Sequence, residues 1–133
     1  KVLEVGSGIG NISQYFIRDN LDIELSDIRD QYIKFLECRF DSNKIHKLDL
    51  VNPNFEKEYS HLIGQFSLVF ALNVIEHIEN DKLALENIQK LLKPKGISYI
   101  LVPAFNSLYN NFDKSLFHFR RKKKKKIRKY FTE

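Results

Sequence analysis

The sequence predicts an α/β protein with a doubly wound, mostly parallel β-sheet flanked by helices. Short apolar segments alternate along the chain with segments of helical periodicity, which is the order typical of parallel sheets. The first apolar segment, Val2–Val5, leads into a turn with glycine at every second position, and acidic residues follow the next two predicted strands. Because ligands of open α/β sheets bind at the carboxyl ends of the strands, these residues mark the expected site.

Length and composition indicate one domain over residues 1–133. With 43% hydrophobic residues, a chain of 133 residues can bury about two thirds of its unfolded surface. The single cysteine argues against a disulfide framework and fits a reducing compartment, so we expect a cytoplasmic protein. We expect no signal peptide, and no apolar run approaches the ~20 residues that span a bilayer.

The glycine turn is expected to hold a charged part of a ligand. Gly6, Gly8 and Gly10 allow positive φ angles and expose bare backbone, and the helix that opens near Asn11 offers unpaired N–H groups. The dinucleotide pattern G-x-G-x-x-G would require its third glycine at Asn11. With Glu4 ahead of it, the turn instead resembles motif I, E/D-x-G-x-G-x-G, of class I S-adenosylmethionine-dependent methyltransferases of the type 11 and 12 kind. A glycine-rich turn that binds another ligand, or none, is the alternative.

A second acid follows the next predicted strand, which covers residues 21–25. Asp27 lies 17 residues beyond Gly10 and resembles the family's ribose-binding acid. A carboxylate that accepts both ribose hydroxyl protons contributes roughly 1.5–3 kcal/mol. Two alternatives are open: Asp27 caps the helix predicted over residues 30–40, or Glu24 takes the ribose role.

The third predicted strand, residues 44–50, carries another acid near its end. Asp49 resembles the family residue that receives the adenine amino group, and the resemblance places Leu50 beside the adenine. In register with the other acids, Asp49 would lie at the same edge of the sheet. The alternative is an ordinary loop acid.

The fourth predicted strand carries the clearest resemblance after the glycine turn. Residues 65–78 are similar to the family pattern fDxVxxxxVxEHI, with Ser67 in place of the usual Asp. A helix then opens at Asn80-Asp81, and Pro94 and Gly96 end it. Its apolar face comprises Ala84, Leu85, Ile88, Leu91 and Leu92.

The fifth strand is predicted over residues 97–102. The resemblance implies a Rossmann-like fold with strand order 3-2-1-4-5 and S-adenosylmethionine as the cofactor. It also implies a set of cofactor contacts at the leading edge of the sheet. These are Glu4, Gly6, Ser7, Gly8, Gly10, Asn11, Asp27, Ile28, Asp49, Leu50, Asn73 and Val74.

His77 is the one candidate for a general base in this set. An imidazole near pH 7 can take a proton from an oxygen or nitrogen acceptor. The alternative is a histidine that orients the loop or positions the acceptor, with Glu76 as a cap. His46 and His61 lack metal-ligand spacing, so we expect no metal. Cys38, on a predicted helix, is expected to be a buried thiol.

Positive charge is concentrated in residues 120–129, of which nine are basic. The formal charge of the chain is +5, and without these nine it would hold 13 basic against 17 acidic residues, a charge of −4. Such a run can bind nucleic acid or an anionic membrane surface. The alternative is a solvated stretch with no partner.

Residues 112–121 resemble a D-x-x-x-x-H-x-R-R-Y segment found in a subset of these methyltransferases, with Lys122 in place of Tyr. Many members of that subset modify glycans or lipids, and the segment contributes to their acceptor pocket. The resemblance therefore implies Asp113, His118 and Arg121 as acceptor contacts, within an acceptor-side segment over residues 104–133.

These features predict S-adenosylmethionine-dependent methyl transfer to an oxygen, nitrogen or carbon of a small-molecule, lipid or glycan acceptor. A nucleic-acid methyltransferase anchored by the basic run is the first alternative. Against it, ribosomal RNA adenine dimethyltransferases carry an Asn-Leu-Pro-Tyr type motif where this chain has Asn73-Val74-Ile75-Glu76. A non-catalytic, cofactor-binding partner subunit is the second alternative.

The ends of the chain suggest a partial domain. The sequence contains no methionine and starts inside its first predicted strand. Compared with the family, we expect the C-terminal strand hairpin to be missing, which would leave the fifth strand as an exposed edge. Because exposed edges pair with other chains, we expect poor solubility or a dimer.

Overall fold

Five parallel strands form one sheet in the order β3-β2-β1-β4-β5 in the computed structural model, which describes residues 1–103. The strands are β1 Val2–Val5, β2 Ile23–Asp27, β3 Ile45–Lys47, β4 Phe66–Leu72 and β5 Leu92–Leu101. The helices are α1 Ser13–Arg18, α2 Asp30–Arg39, α3 Phe55–Glu58 and α4 Asp81–Leu91, with 3₁₀ turns at Ser42–Lys44 and Ile75–His77. None of these helices is long and apolar enough to cross a membrane. The strand order confirms the predicted doubly wound, Rossmann-like fold.

Strand β1 lies at the centre of the sheet and fixes the place of the site. It pairs with β2 on one side and with β4 on the other, so that its last residue, Val5, lies opposite Ser26 and Ala71. Strands β2 and β3 follow β1 in sequence and lie on one side of it, and β4 and β5 lie on the other side. Such a switch point opens a crevice at the carboxyl ends of the strands.

Each face of the sheet has its own apolar core. Helix α4 contributes Leu85 and Ile88 to one core, where both side chains are fully buried beside Val69 of β4. On the other face, the rings of Phe16 and Phe70 stack with centroids 5.4 Å apart. Burying a Leu, Ile or Phe side chain contributes about 1.5–3 kcal/mol. These two layers therefore hold the strand ends in fixed positions.

The second strand lies further along the chain than its pattern predicts. Asn20, with a φ of 57°, turns the backbone after α1, and Leu21 is left 52% exposed outside the sheet. Strand β2 consequently ends at Asp27, which pairs with Lys47 of β3. Strand β3 is shorter than predicted, so Asp49 lies just beyond it.

The fifth strand begins earlier than its pattern predicts. Helix α4 ends at Leu91 and β5 follows at once, so the strand takes in Pro94 and Gly96. Its pairing with β4 changes register between Phe66 and Leu68. Bulges accommodate proline because their N–H groups need no ladder partner. A Cβ on Gly96 would lie 2.8 Å from a backbone carbonyl oxygen, which explains the glycine.

The prediction that Cys38 is buried is wrong. Helix α2 packs through Ile33, Leu36 and Phe40, which recur at the spacing of one helical face. Cys38 lies two residues after Leu36, which places it on the opposite face, where it is exposed.

Strand β5 forms one edge of the sheet as described. Its Ile97 and Tyr99 side chains are 65% and 58% exposed. Within residues 1–103, β4 is the only strand that pairs with it. The exposed edge of the whole domain and self-association through it both stay predictions.

Candidate functional site

A cavity of about 670 Å³ lies at the carboxyl ends of β1, β2, β3 and β4. Its volume lies in the range of small-molecule sites. It brings together eight of the predicted cofactor contacts, together with His77: Gly6, Gly8, Asp27, Ile28, Asp49, Leu50, Asn73 and Val74. The predicted edge of the sheet therefore carries a shared cleft.

The glycine turn borders this cavity with bare backbone. Gly6 and Gly8 have φ angles of 73° and 55°, which side-chain-bearing residues rarely adopt. A Cβ on Gly6 would lie 2.4 Å from a methyl carbon of Val74, so glycine lets the β4 loop approach the turn. A Cβ on Gly8 would meet no atom within 4 Å. Gly8 thus leaves open space where a ligand can contact the main chain.

Asp27 joins the end of β2 to the glycine turn. One carboxylate oxygen, Oδ2, accepts a hydrogen bond from the Gly8 N–H at 3.0 Å, and Oδ1 accepts one from the Arg29 N–H at 3.0 Å. The side chain is buried at the cavity wall. Helix α2 has no side-chain cap bond at its first residues, so the capping alternative for Asp27 does not describe this structure.

Glu24, the competing acid of β2, lies away from the cavity. Its carboxylate forms an ion pair with Lys1 Nζ at 2.9 Å and a hydrogen bond with His46 Nε2 at 2.6 Å. It does not line the cavity, whereas Asp27 does. The geometry therefore favours Asp27 over Glu24 as the acid that meets a ligand.

Backbone hydrogen bonds fix Asp49 and Leu50 beyond the end of β3. The Asp49 N–H donates to Tyr59 Oη at 3.0 Å, and Asp49 Oδ1 accepts from the Val51 N–H at 3.0 Å. Asn87 Nδ2 of α4 donates to the Leu50 carbonyl oxygen at 2.8 Å. The sequence analysis missed Tyr59 and Asn87. The polar Asn87 on the apolar face of α4 was the available signal.

The loop after β4 turns sharply at the cavity. Asn73 has a φ of 55°, a sparsely populated conformation for a non-glycine residue, and its N–H donates to the Leu101 carbonyl oxygen at 2.8 Å. The 3₁₀ turn that follows brings His77 to the cavity wall, half-buried. An imidazole here borders the same cavity as Asp27, and its role as a base stays a prediction.

Glu4 and Ser7 lie beneath the glycine turn and do not line the cavity. Glu4 is buried and accepts a hydrogen bond from the Ser13 hydroxyl. Ser7 Oγ accepts a hydrogen bond from the Ser26 N–H at 3.2 Å. Both residues support the turn from below, and their contact with a cofactor stays a prediction.

Gly10 and Asn11 also lie outside the cavity lining. A Cβ on Gly10, whose φ is 79°, would approach Phe40 Cε2 to 2.5 Å. Glycine therefore allows α2 to pack against the turn, while Asn11 is exposed. Contact of either residue with a cofactor stays a prediction.

The cavity is also lined by residues that the sequence analysis did not predict as contacts: Val5, Arg29, Tyr32, Leu48, Val51, Ile78, Glu79 and Asn80. Most of them are neighbours in sequence of predicted contacts. Tyr32 lies one turn into α2, where the Arg29 guanidinium sits 5.4 Å from its ring centroid. Only the packing of α2 brings this ring to the rim.

Metal binding receives no support from the described part of the chain. Residues 1–103 hold no group of three or more His, Cys, Asp or Glu side chains placed to bind a metal ion. The His46 and His61 rings lie 5.9 Å apart, but His46 is paired with Glu24. The predicted acceptor contacts Asp113, His118 and Arg121, and the basic run 120–129, lie outside the described residues.

Burial raises the pKa of the Glu4 carboxyl above its ordinary value of 4.5, although the Ser13 hydroxyl opposes the shift. Folding therefore favours the protonated form, so this contribution to stability is present at low pH and is lost as pH rises through the folded-state pKa. We expect Glu4→Gln to gain stability relative to the unchanged protein as pH rises from about 4 to about 7. Urea unfolding of both proteins across this range measures the difference.

Asp30→Asn is the control for that series. The Lys47 ammonium lowers the pKa of the Asp30 carboxyl, so the Asp30 contribution is present at neutral pH and lost as pH falls. The difference between Asp30→Asn and the unchanged protein should therefore stay nearly level from about pH 4 to 7, and Asp30→Asn should gain relative stability only as pH falls below about 4. A difference between Glu4→Gln and the unchanged protein that is constant with pH would contradict the assignment of a buried, destabilised carboxylate.

Comparison with known proteins agrees with the resemblance found in the sequence. The family model of the methyltransferase domain matches residues 3–98. The chain is 29% identical over 99 residues to juvenile hormone acid O-methyltransferase of Drosophila melanogaster, covering 71% of this chain and 33% of that protein. The chain thus spans about a third of the length of this curated relative.

Two solved structures share the fold. One is an S-adenosylmethionine-dependent methyltransferase from Archaeoglobus fulgidus, with a TM-score of 0.73 and 21% identity, over 98% of this chain and 57% of that one. The other is the trans-methyltransferase CalH in complex with S-adenosylhomocysteine, with a TM-score of 0.60 and 22% identity, over 75% of this chain and 31% of that one.

Proposed function

Because the chain belongs to the methyltransferase domain family, we propose that it transfers a methyl group from S-adenosylmethionine to a small-molecule acceptor. The observation that carries this proposal is the position of Gly8. Its N–H donates a hydrogen bond to the buried Asp27 carboxylate, the space on its Cβ side is open, and the residue lines the cavity. A ligand in the cavity would therefore contact the bare backbone of Gly8 and the fixed carboxylate of Asp27 next to each other.

The cavity suits the proposed cofactor in size and in chemistry. A volume of about 670 Å³ matches a nucleoside with an amino-acid side arm. Asp27 supplies the acceptor oxygens that ribose hydroxyls need. Ile28, Leu50 and Val51 supply apolar surface for the faces of a base.

We assign the parts of the cofactor to these residues. The Gly6 to Gly8 backbone holds the methionine portion, Asp27 the ribose, and Asp49 with Leu50 the adenine. Asn73 and Val74 border the sulfonium and the acceptor. Glu4, Ser7, Gly10 and Asn11 lie in or beside the same turn and are further proposed cofactor contacts, and Ile28 flanks the base.

When bound, S-adenosylmethionine supplies an electrophilic methyl group on a sulfonium. The residues of the protein contribute mainly by holding two reactants in line, since well-oriented reactants gain large effective concentrations. His77 borders the same cavity and would accept the proton of an oxygen or nitrogen acceptor. The alternative role of His77, orienting the acceptor, needs no change in its protonation.

The acceptor is proposed from chemistry and from the relative. Juvenile hormone acid O-methyltransferase acts, by its name, on an acid, which supports a small organic acceptor for this chain. A lipid or glycan acceptor, bound with the help of Asp113, His118 and Arg121, is the finer proposal. We further propose a cytoplasmic location and, through the β5 edge, a dimer.

Calorimetric titration tests the function directly. We expect S-adenosylmethionine and S-adenosylhomocysteine each to bind the chain at one site. Transfer of a labelled methyl group to carboxylic-acid, hydroxyl and amine acceptors then separates an enzyme from a cofactor-binding subunit. Absence of binding by both compounds would remove the proposal, and binding without transfer to any acceptor would favour the subunit.

The basic run at 120–129 favours nucleic-acid methylation as a second candidate. If this candidate holds, replacing the five lysines at 122–126 with glutamine should abolish RNA binding and its dependence on salt, because each phosphate contact releases a counterion. Filter binding at several salt concentrations measures this. RNA affinity that is equal in both proteins, or absent from both, would eliminate the candidate.

A further inference from the structure

A buried asparagine on α4 bonds to the segment on which the proposed adenine contacts lie. Asn87 is 1% exposed, and its Nδ2 donates to the Leu50 carbonyl oxygen at 2.8 Å. The two residues are 37 positions apart, so this bond joins separate layers of the fold. An apolar side chain at position 87 would leave the buried Leu50 carbonyl without this donor, which is unfavourable for a buried acceptor.

The segment from Leu48 to Val51 belongs to no helix or strand, yet it is held on several sides. The Leu48 N–H donates to the Asp27 carbonyl oxygen at 3.0 Å, and the Asp49 N–H donates to Tyr59 Oη at 3.0 Å. Leu48 and Leu50 are both buried. Loops after strands are usually mobile, so these bonds hold the backbone from which the Asp49 side chain extends, and the Asp49 carboxylate in turn accepts a hydrogen bond from the Val51 N–H.

Asn87 also has an unusual environment. It lies on the apolar face of α4, among Ala84, Ile88 and Leu91, which are all fully buried. Its carbonyl oxygen Oδ1 has no hydrogen-bond partner within the described part of the chain. Since burying that oxygen costs free energy, the benefit of Asn87 to this site lies in the donor that Leu50 receives.

We propose that Asn87 is a positioning residue that sets the selectivity of the site for the adenine base. This inference rests on the proposed function and deepens it. By holding the Leu50 carbonyl, Asn87 keeps Asp49 directed at the amino group of the base, and Tyr59 holds the same segment at the Asp49 N–H. Asn87 does not line the cavity, so it acts through this segment.

The test compares two ligands on the whole chain. S-adenosylhomocysteine carries the 6-amino group, and S-inosylhomocysteine carries an oxygen there instead. We expect the unchanged protein to prefer the adenosyl compound. In Asn87→Leu its affinity should fall about 10-fold or more, as expected for loss of a hydrogen bond to a charged group, while the affinity for the inosyl compound changes little.

Controls separate positioning from general loss of structure. Ser67→Ala removes a hydroxyl that donates to the Lys1 carbonyl oxygen at the opposite end of the sheet, and it should leave the ratio of affinities unchanged. Tyr59→Phe keeps the ring and should shift the ratio in the same direction as Asn87→Leu. This variant carries the test if Asn87→Leu does not fold.

A ratio of affinities in Asn87→Leu equal to that of the unchanged protein would overturn the inference, whether or not the affinities themselves fall. Equal affinity of the unchanged protein for the two ligands would also overturn the inference, but it would not contradict the proposed function. Failure of the unchanged protein to bind either ligand would instead count against the proposed function.

Discussion

Gly8→Val is expected to weaken binding of S-adenosylmethionine by at least about 100-fold, corresponding to about 2.7 kcal/mol. The valine side chain would occupy the open space beside the cavity, where the cofactor is proposed to contact the main chain. The φ of 55° adds strain of about 1–3 kcal/mol for a β-branched residue, which lowers stability as well. Calorimetry measures the affinity, and urea unfolding measures the stability.

Gly64→Val is the matched control for Gly8→Val. Gly64 has a φ of 66°, and a Cβ on it would meet no atom within 4 Å. It precedes β4 at the amino end of the strand, far from the cavity. We expect a similar loss of stability and an unchanged affinity. Equal loss of affinity in both variants would mean that strain, and not the filled space, weakens binding.

Asp27→Ala is expected to weaken binding by about 10-fold or more, because hydrogen bonds between a carboxylate and ribose hydroxyls contribute roughly 1.5–3 kcal/mol. The variant also loses the bond from the Gly8 N–H, so part of the effect comes through the turn. Asp27→Asn keeps the size and one acceptor oxygen, and we expect it to lose less affinity. Titration with S-adenosylhomocysteine compares the three proteins.

A double comparison isolates the ribose contact. A 2′-deoxyribose analogue of S-adenosylhomocysteine should bind the unchanged protein more weakly than the parent compound does. It should lose little further affinity in Asp27→Ala, since the partner group is already absent. Glu24→Gln serves as the control, because Glu24 lies in the same strand and pairs with Lys1 and His46 outside the cavity. Loss of affinity in Glu24→Gln with none in Asp27→Ala would move the ribose role to Glu24.

The glycine turn and the acids were predictable because their patterns are local. Glycine at positions 6, 8 and 10 follows directly from backbone geometry, which depends on neighbours in sequence. Their positions after successive predicted strands placed the acids near one edge, and the structure brings Asp27 and Asp49 to the same cavity. The bounds of β2 were harder to predict. The strand begins and ends later than its pattern indicates, because Asn20 adopts a left-handed conformation and turns the chain before it.

The exposed Cys38 and the extended β5 show where local patterns failed. Which face of α2 is buried depends on its packing against the sheet, and that packing selects Leu36. Strand β5 takes in Pro94 because the shifted register with β4 accommodates it. Neither outcome follows from helix or strand propensity.

The sequence by itself determined the fold class, the strand order through its family resemblance, and the glycine turn, since these depend on apolar periodicity and on backbone conformations only glycine adopts readily. Tertiary structure alone decided that Asp27 and not Glu24 faces the cavity, that Glu4 supports the turn from below, and that Asn87 and Tyr59 hold the segment after β3. Contacts of this kind join residues far apart in the chain. These contacts form only when the separate layers of the fold pack together.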